Sequence, residues 1–373
     1  MQPTFFHGMT MRAAVAAVVV AVAGAGEVRE ACGRVLDAWR AGGCVQRKAS
    51  KCRFIHVPKT GGSSLAEELK HLGYSVYSGE KCYWDDPGNA RNGSNALTFL
   101  RAPRAHVLSQ YMECAYSHFG RKHTEAFARL APGSAPFPNG SDGFAVWLDH
   151  FADAAWTWDG GGDWDCYNPS NMMARALTCG DGAPAAASGA RRRLGGDEWT
   201  RNSLGASRSN VHHVRRRGVG PAPDLALAAS TLGRFDMVGL TELYHESLCL
   251  LRFRLEGALP DGCDCASAEA AEHAHDDKGV PRHSLDDFAD GVLGVVDALT
   301  AVDAELYVRG LDRVLRDLAD LERCARRTVV CPARWADLAR ETAAVPGARA
   351  VVDRWRPTSR ARAVKAPRAG DYR

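Results

Sequence analysis

The stretch Phe54-Ile55-His56-Val57-Pro58-Lys59-Thr60-Gly61-Gly62-Ser63-Ser64-Leu65 limits what this chain can fold into more than any other. An apolar, β-branched run stops at a proline. A lysine, a glycine pair and hydroxyl side chains follow, and then a helix-forming stretch from Leu65 to His71. That order predicts strand, tight loop, helix. Glycines let backbone N–H groups approach an anion, the helix N-terminus adds a partial positive charge, and Lys59 adds a full one. The segment lacks the Gly-x-x-x-x-Gly-Lys-Ser/Thr spacing of nucleoside-triphosphate loops. An ordinary Gly-Ser turn would use the same residues, so a second signal is needed.

Ala96-Leu97-Thr98-Phe99-Leu100 supplies it, reading as a short buried strand. It runs into Arg101-Ala102-Pro103-Arg104-Ala105-His106-Val107-Leu108-Ser109, where Pro103 suits the first turn of a new helix. Arg101 at the strand end and Ser109 on that helix then face one pocket. A guanidinium binds phosphate through paired hydrogen bonds, and a hydroxyl adds another donor.

The two segments together resemble the nucleotide motifs of carbohydrate sulfotransferases that use 3′-phosphoadenosine 5′-phosphosulfate (PAPS), the Golgi heparan-sulfate and chondroitin type. The family's loop reads Pro-Lys-Thr-Gly-(Gly/Ser)-(Thr/Ser)-(Ser/Thr). By that resemblance, Lys59, Thr60, Gly61, Gly62, Ser63 and Ser64 hold the 5′ side of the nucleotide, and Arg101 with Ser109 holds the 3′-phosphate. The chain departs from the family at Ala102, often acidic there, and at His106, often Arg, although Arg104 lies nearby. Weaker likenesses extend over residues 50–325: Phe235 to Glu242 with its Gly-Leu-Thr-Glu turn, Asn171 to Leu177, and Leu299 to Tyr307. The implied fold class is α/β, a parallel-sheet, P-loop-like sulfotransferase fold with helices on both faces and loop insertions. Strand–loop–helix order repeated along the chain agrees with parallel strands and crossover helices.

The implied chemistry is transfer of a sulfuryl group from PAPS to a glycan hydroxyl. Charge builds on oxygens held in line, as in phosphoryl transfer, and Lys59 is placed to stabilise the leaving phosphate. No metal is required. The acceptor hydroxyl needs a base. Glu67, Glu68, His71 and Glu80 lie between the two motifs, with His118 and His123 further on. Glu80-Lys81-Cys82-Tyr83-Trp84-Asp85 is similar to a Glu-x-x-aromatic-aromatic-Asp segment whose Glu is the base in some sulfotransferases. Glu80 is therefore the first candidate and His71 the second. Two rival readings remain: a nucleotide kinase with a variant phosphate loop, and a disulfide-rich extracellular glycan-binding protein without catalysis.

Apolar residues make up 46% of the 373, and the net charge is only +3. That balance excludes a polycation that binds nucleic acid along its whole length. Basic charge is local, in Arg191–Arg193 and Arg215–Arg217 within a Gly/Ala/Ser-rich stretch, and in the tail from Arg354 to Arg368. Such runs are solvated loops or contacts for an anionic glycan or membrane surface. Ala13 to Gly26 carries no charge. It is shorter than the roughly 20 residues of a spanning helix and suits a signal peptide or signal anchor. Twelve cysteines without zinc-type spacing indicate disulfides and an oxidising compartment, with the Golgi lumen or secretion expected. Cys324 and Cys331 are near enough in sequence for a local pair. Asn92 and Asn139 head glycosylation triplets. The expected organisation is targeting segment 1–26, stem 27–50, sulfotransferase domain 51–330 with a flexible insertion at 183–224, and basic tail 331–373. Trp147 and Phe151, in an aromatic-rich segment, are expected to pack rather than stack on sugar.

Overall fold

The structure, a computed structural model, describes residues 52–73, 76–80, 82–85, 96–118, 120, 140–152, 167–178, 222–265, 280–281 and 283–357. The N-terminal segment, the stem, Asn92, Asn139, His123 and almost all of the 183–224 stretch lie outside them.

Four strands form one parallel sheet: β1 (Cys52–Ile55), β2 (Val76–Gly79), β3 (Ala96–Leu100) and β4 (Met237–Leu240), in the order β2-β1-β3-β4. The chain steps from β1 outward to β2, then returns to the other side of β1 as β3. That reversal opens a crevice at the carboxyl ends of β1 and β3, where sheets of this kind bind ligands. All of β3 and all of β4 are buried, so both faces of the sheet are covered there. The helices are α1 (Gly62–His71), α2 (Pro103–Tyr116), α3 (Gly140–Ala152), α4 (Met172–Thr178), α5 (Leu225–Gly233), α6 (Tyr244–Glu256), α7 (Asp290–Leu299), α8 (Ala301–Ala325), α9 (Pro332–Glu341) and α10 (Ala348–Trp355). The described part is thus a mixed α/β fold, mostly helical around a small parallel sheet.

The main core joins the sheet to α5, α6, α8, α9 and α10 through residues such as Phe54, Phe99, Leu248, Leu311, Trp335, Leu338 and Val352. Trp147 and Phe151 do pack, as expected: with Tyr111 and Phe144 they fill a second cluster between α2, α3 and α7. Residues 332–355 hold two amphipathic helices whose Trp335, Leu338, Val351 and Val352 are part of the main core, and Arg354, where the basic tail begins, pairs with Asp312 at 3.0 Å. Arginines alternating with these apolar residues obscured the helical period.

Two helix starts cap each other. Asn171 Oδ1 accepts from the Val302 and Asp303 N–H groups at 2.9 and 3.1 Å, and the Asp303 carboxylate accepts from Met173 and Ala174 at 3.1 and 2.7 Å. The Asn171 segment and the late helix are therefore one structural device. Each supplies acceptors for N–H groups that an α-helix leaves unpaired at its start.

Cysteine pairing differs from the local expectation. Cys331 bonds Cys265, and Cys249 bonds Cys263. Cys82, Cys114 and Cys324 are also disulfide-bonded. Cys331 stands at the start of α9, which folds back toward the turn carrying Cys265, so sequence proximity to Cys324 did not decide its partner. This extent of disulfide bonding belongs to an oxidising, extracellular or secretory environment. No helix among the described residues is long and apolar enough to cross a membrane.

Candidate functional site

The loop between β1 and α1 is held in an unusual conformation. Lys59 has φ 64° and Gly61 φ 84°. The left-handed region costs a non-glycine residue about 1–2 kcal/mol, so the surroundings enforce it. Four contacts do so. The Thr60 hydroxyl donates to the Val57 carbonyl at 2.8 Å. Thr241 Oγ1 donates to the Thr60 carbonyl at 3.0 Å. Arg101 Nη1 donates to the Lys59 carbonyl at 3.2 Å. His106 Nε2 donates to the Pro58 carbonyl at 2.7 Å. Burial holds the His106 imidazole neutral, with its pKa lowered to about 3. His106 thus pins the loop.

The helix begins at Gly62, three residues before the apolar stretch would indicate. Its N-cap is Gly61 and carries no side-chain cap. The first-turn N–H groups therefore have no side-chain cap from Gly61, and the positive end of the helix dipole stands at the loop after β1. Tyr244 lies against Gly61, and its phenol lies by Ser64 and Glu68, with its ionisation pushed up by burial.

Lys59 Nζ is 2.6 Å from Glu113 Oε2, with 22% and 9% of the two side chains exposed. Arg101 is partly buried, and loss of water lowers its pKa, opposed by Glu242 and Glu341. Glu242 accepts from the Ala102 N–H at 2.7 Å and from the Tyr307 hydroxyl at 2.9 Å. Burial raises its pKa. The Gly-Leu-Thr-Glu turn thus buttresses both motifs, through Thr241 on the loop and Glu242 beside Arg101. Arg104 is taken up by Asp297 on α7 at 2.8 and 2.6 Å.

Helix α2 turns one stripe toward the loop. His106 and Glu113 on that stripe touch Pro58 and Lys59. Gln110 lies four residues after His106 and three before Glu113, hence on the same face. Its carboxamide is fully buried, and neither its oxygen nor its nitrogen has a hydrogen-bond partner. Ser109 next to it is 7% exposed. A buried, unsatisfied amide costs about 1–3 kcal/mol, which a polar ligand in the crevice would recover.

The two acceptor-side candidates part company. His71 is on the last turn of α1, about 14 Å along the helix from Gly62, 74% exposed and opposite Glu67. The fold does not bring it to the loop. Glu80 is brought there. The register sets Ile55 beside Gly79, so His56 and Glu80 leave the sheet together, and His56 Nδ1 is 3.6 Å from Glu80 Oε1. Tyr167 lies near both Glu80 and Glu113, its ionisation pushed up by burial and by those two carboxylates. His56, Gln110, Glu113 and Tyr167 were missed from sequence. The one available signal was the place of His56 directly after the strand. His118 is exposed just beyond α2.

One group of metal-type side chains occurs among the described residues, His245 with Cys249 and Cys263. The two sulfurs bond each other, so they are not thiolate ligands in this state. Comparison of the chain with protein families, curated proteins and solved structures finds no match.

Proposed function

We propose that this protein transfers a sulfuryl group from PAPS to a glycan hydroxyl, on a P-loop-like sulfotransferase fold, in the secretory pathway. The observation that carries the reading is the convergence at one crevice of an uncapped helix start, Lys59 and Arg101, the residues that the motif resemblance assigns to the two phosphates. The residues present fit such a donor. Backbone N–H groups of Gly62, Ser63 and Ser64 and the Lys59 ammonium would hold the 5′ side, and Arg101 with Ser109 the 3′-phosphate. The donor supplies the sulfuryl group and a bisphosphate leaving group. Lys59 neutralises charge on the leaving oxygen, and Glu113 holds it in place until the nucleotide competes for it. His106, Thr241 and Glu242 keep the loop in its strained form. An acceptor hydroxyl approaching beside Lys59 meets the His56–Glu80 pair. Disulfides support a lumenal or secreted setting, with the apolar N-terminal segment as signal peptide or anchor.

The test is thermal stability with nucleotides. Adenosine 3′,5′-bisphosphate at a hundred times its dissociation constant should add about 2.7 kcal/mol. Adenosine 5′-monophosphate at the same concentration should add far less, because Arg101 and Ser109 gain nothing. Equal shifts remove the 3′-phosphate assignment. Labelled PAPS with an oligosaccharide panel, anionic chains included, then reads transfer. Phosphate transfer from ATP would instead identify a kinase, and binding alone a non-catalytic glycan-binding protein.

A further inference from the structure

We infer that His56 is the general base of the transfer and that Glu80 is the carboxylate that positions it. This rests on the sulfuryl-transfer reading.

The imidazole is fixed on three sides. Nδ1 lies 3.6 Å from Glu80 Oε1. One ring face stacks on Phe54, with centroids 5.2 Å apart and planes at 20°. The opposite edge lies on Gly62: a Cβ at that glycine would fall 2.0 Å from Cδ2 and 2.2 Å from Nε2. Nε2 thus lies against Gly62, the first residue of α1, which follows the loop carrying Lys59. Glu80 stands behind the ring, at its other nitrogen. The His56 side chain is only 12% exposed.

Glu80 Oε1 stands 3.6 Å from Nδ1, just beyond hydrogen-bond reach, and a small turn of the ring would let Nδ1–H donate to it, with Nε2 then on the Gly62 side. This is the arrangement in which a carboxylate fixes the tautomer of a histidine base. The acceptor hydroxyl gives its proton to Nε2 as its oxygen bonds sulfur. The bond from sulfur to the 5′-phosphate oxygen breaks, and the electron pair stays on that oxygen beside Lys59. The imidazolium is stabilised by Glu80 and passes its proton to water after the products leave. Among the described residues, the charged and titratable groups on this side of the sheet are Glu80 after β2, Tyr167 before α4, Lys59 with Glu113 from the loop and α2, and the positive end of α1. Glu80 favours the imidazolium, and Lys59 and the helix end oppose it. Removing the Glu80 charge therefore lowers the His56 pKa.

The proposal is tested first on the free protein by nitrogen NMR of labelled histidines, with His56→Asn assigning the signal. Neutral His56 should carry its proton on Nδ1, and Glu80→Gln should lower its pKa by about one unit. A neutral form protonated at Nε2, or an unchanged titration in Glu80→Gln, overturns the pairing. On an acceptor from the panel, His56→Asn should lose transfer by about a hundredfold or more while binding adenosine 3′,5′-bisphosphate within about threefold of wild type. His56→Gln, a bulkier replacement, serves if the Asn variant fails to fold. Glu80→Gln should keep more transfer than His56→Asn, with the acid limb of its pH profile moved to lower pH. An active His56→Asn with an inactive Glu80→Gln returns the base role to Glu80. A nucleotide that leaves wild-type stability unchanged sinks the transfer reading and with it the base role, yet leaves the NMR result on the His56–Glu80 pair standing. The two failures are therefore distinguishable.

Discussion

Gly62→Ala is the smallest change that should disturb the site. The added carbon would start 2.0 Å from His56 Cδ2 and 2.2 Å from Nε2, whereas apolar atoms settle about 3.5–4.0 Å apart. The ring must retreat by roughly 1.5 Å. Phe54 stacks on one of its faces, and Glu80 lies at its far nitrogen. α1 cannot yield instead, because Leu65 and Leu69 anchor it in the core. Overpacking of this kind costs about 1–3 kcal/mol. Alanine gains back about 1 kcal/mol over glycine within a helix, so the single variant alone is a blunt test. The same substitution in a His56→Ala background removes the collision and keeps the helix gain. The cycle should then show a coupling of about 1–3 kcal/mol, read from urea midpoints at unchanged slope. Transfer by Gly62→Ala should fall on the order of a hundredfold, as a displacement of about 1 Å does elsewhere. Nucleotide binding should suffer less, since the Gly62 N–H remains. A coupling below about 0.5 kcal/mol would mean that the ring does not rest on Gly62, and the placement of His56 would be refuted.

Asp303→Ala should destabilise by about 2–5 kcal/mol, because it strands two buried N–H groups, Met173 and Ala174. Asp303→Asn keeps one acceptor and should cost about half as much by thermal unfolding, and equal losses would refute the two-bond account. His106 is held neutral in the fold, with its pKa lowered to about 3 from an ordinary 6.5. Its contribution is present above pH 6.5 and is lost as pH falls toward 3, with a slope approaching about 1.4 kcal/mol per pH unit. His106→Gln should flatten stability between those limits in urea titrations, and an unchanged acid slope would show that His106 is not buried as a neutral ring.

The strand, loop and helix around Lys59 were legible because each local signal agreed: β-branched residues, a proline stop, paired glycines, then helix formers. The strand before Arg101 and the helix after Pro103 were legible for the same reason. The loop's restraints were not. His106, Thr241 and Glu242 act through contacts with residues 48 to 181 positions away, and no local pattern announces such distances. Glu80 was found by its place in a segment. Its partner His56 was hidden inside the strand-like run, where a histidine reads as one more sheet residue until the register pairs Ile55 with Gly79. His71 is set apart for a directional reason: it occupies the end of α1 far from the Lys59 loop. Cysteine partners follow how α9 folds back, which spacing does not encode.

Helix α8 stands behind the crevice and yet sets its width. Through Asp303 it fixes the start of α4 and the segment that brings Tyr167 beside Glu80 and Glu113. One turn on, Tyr307 holds Glu242, and Glu242 holds the backbone next to Arg101. Gly310 then seats the helix directly on Leu100, where an added Cβ would come within 2.4 Å of the leucine side chain. The Glu80 side and the Arg101 side of the site are therefore spaced by a single rigid rod. A bulkier residue at position 310 would push that rod off the sheet and move both ends at once, so a defect in nucleotide affinity and a defect in turnover would arise together from a position that touches neither ligand.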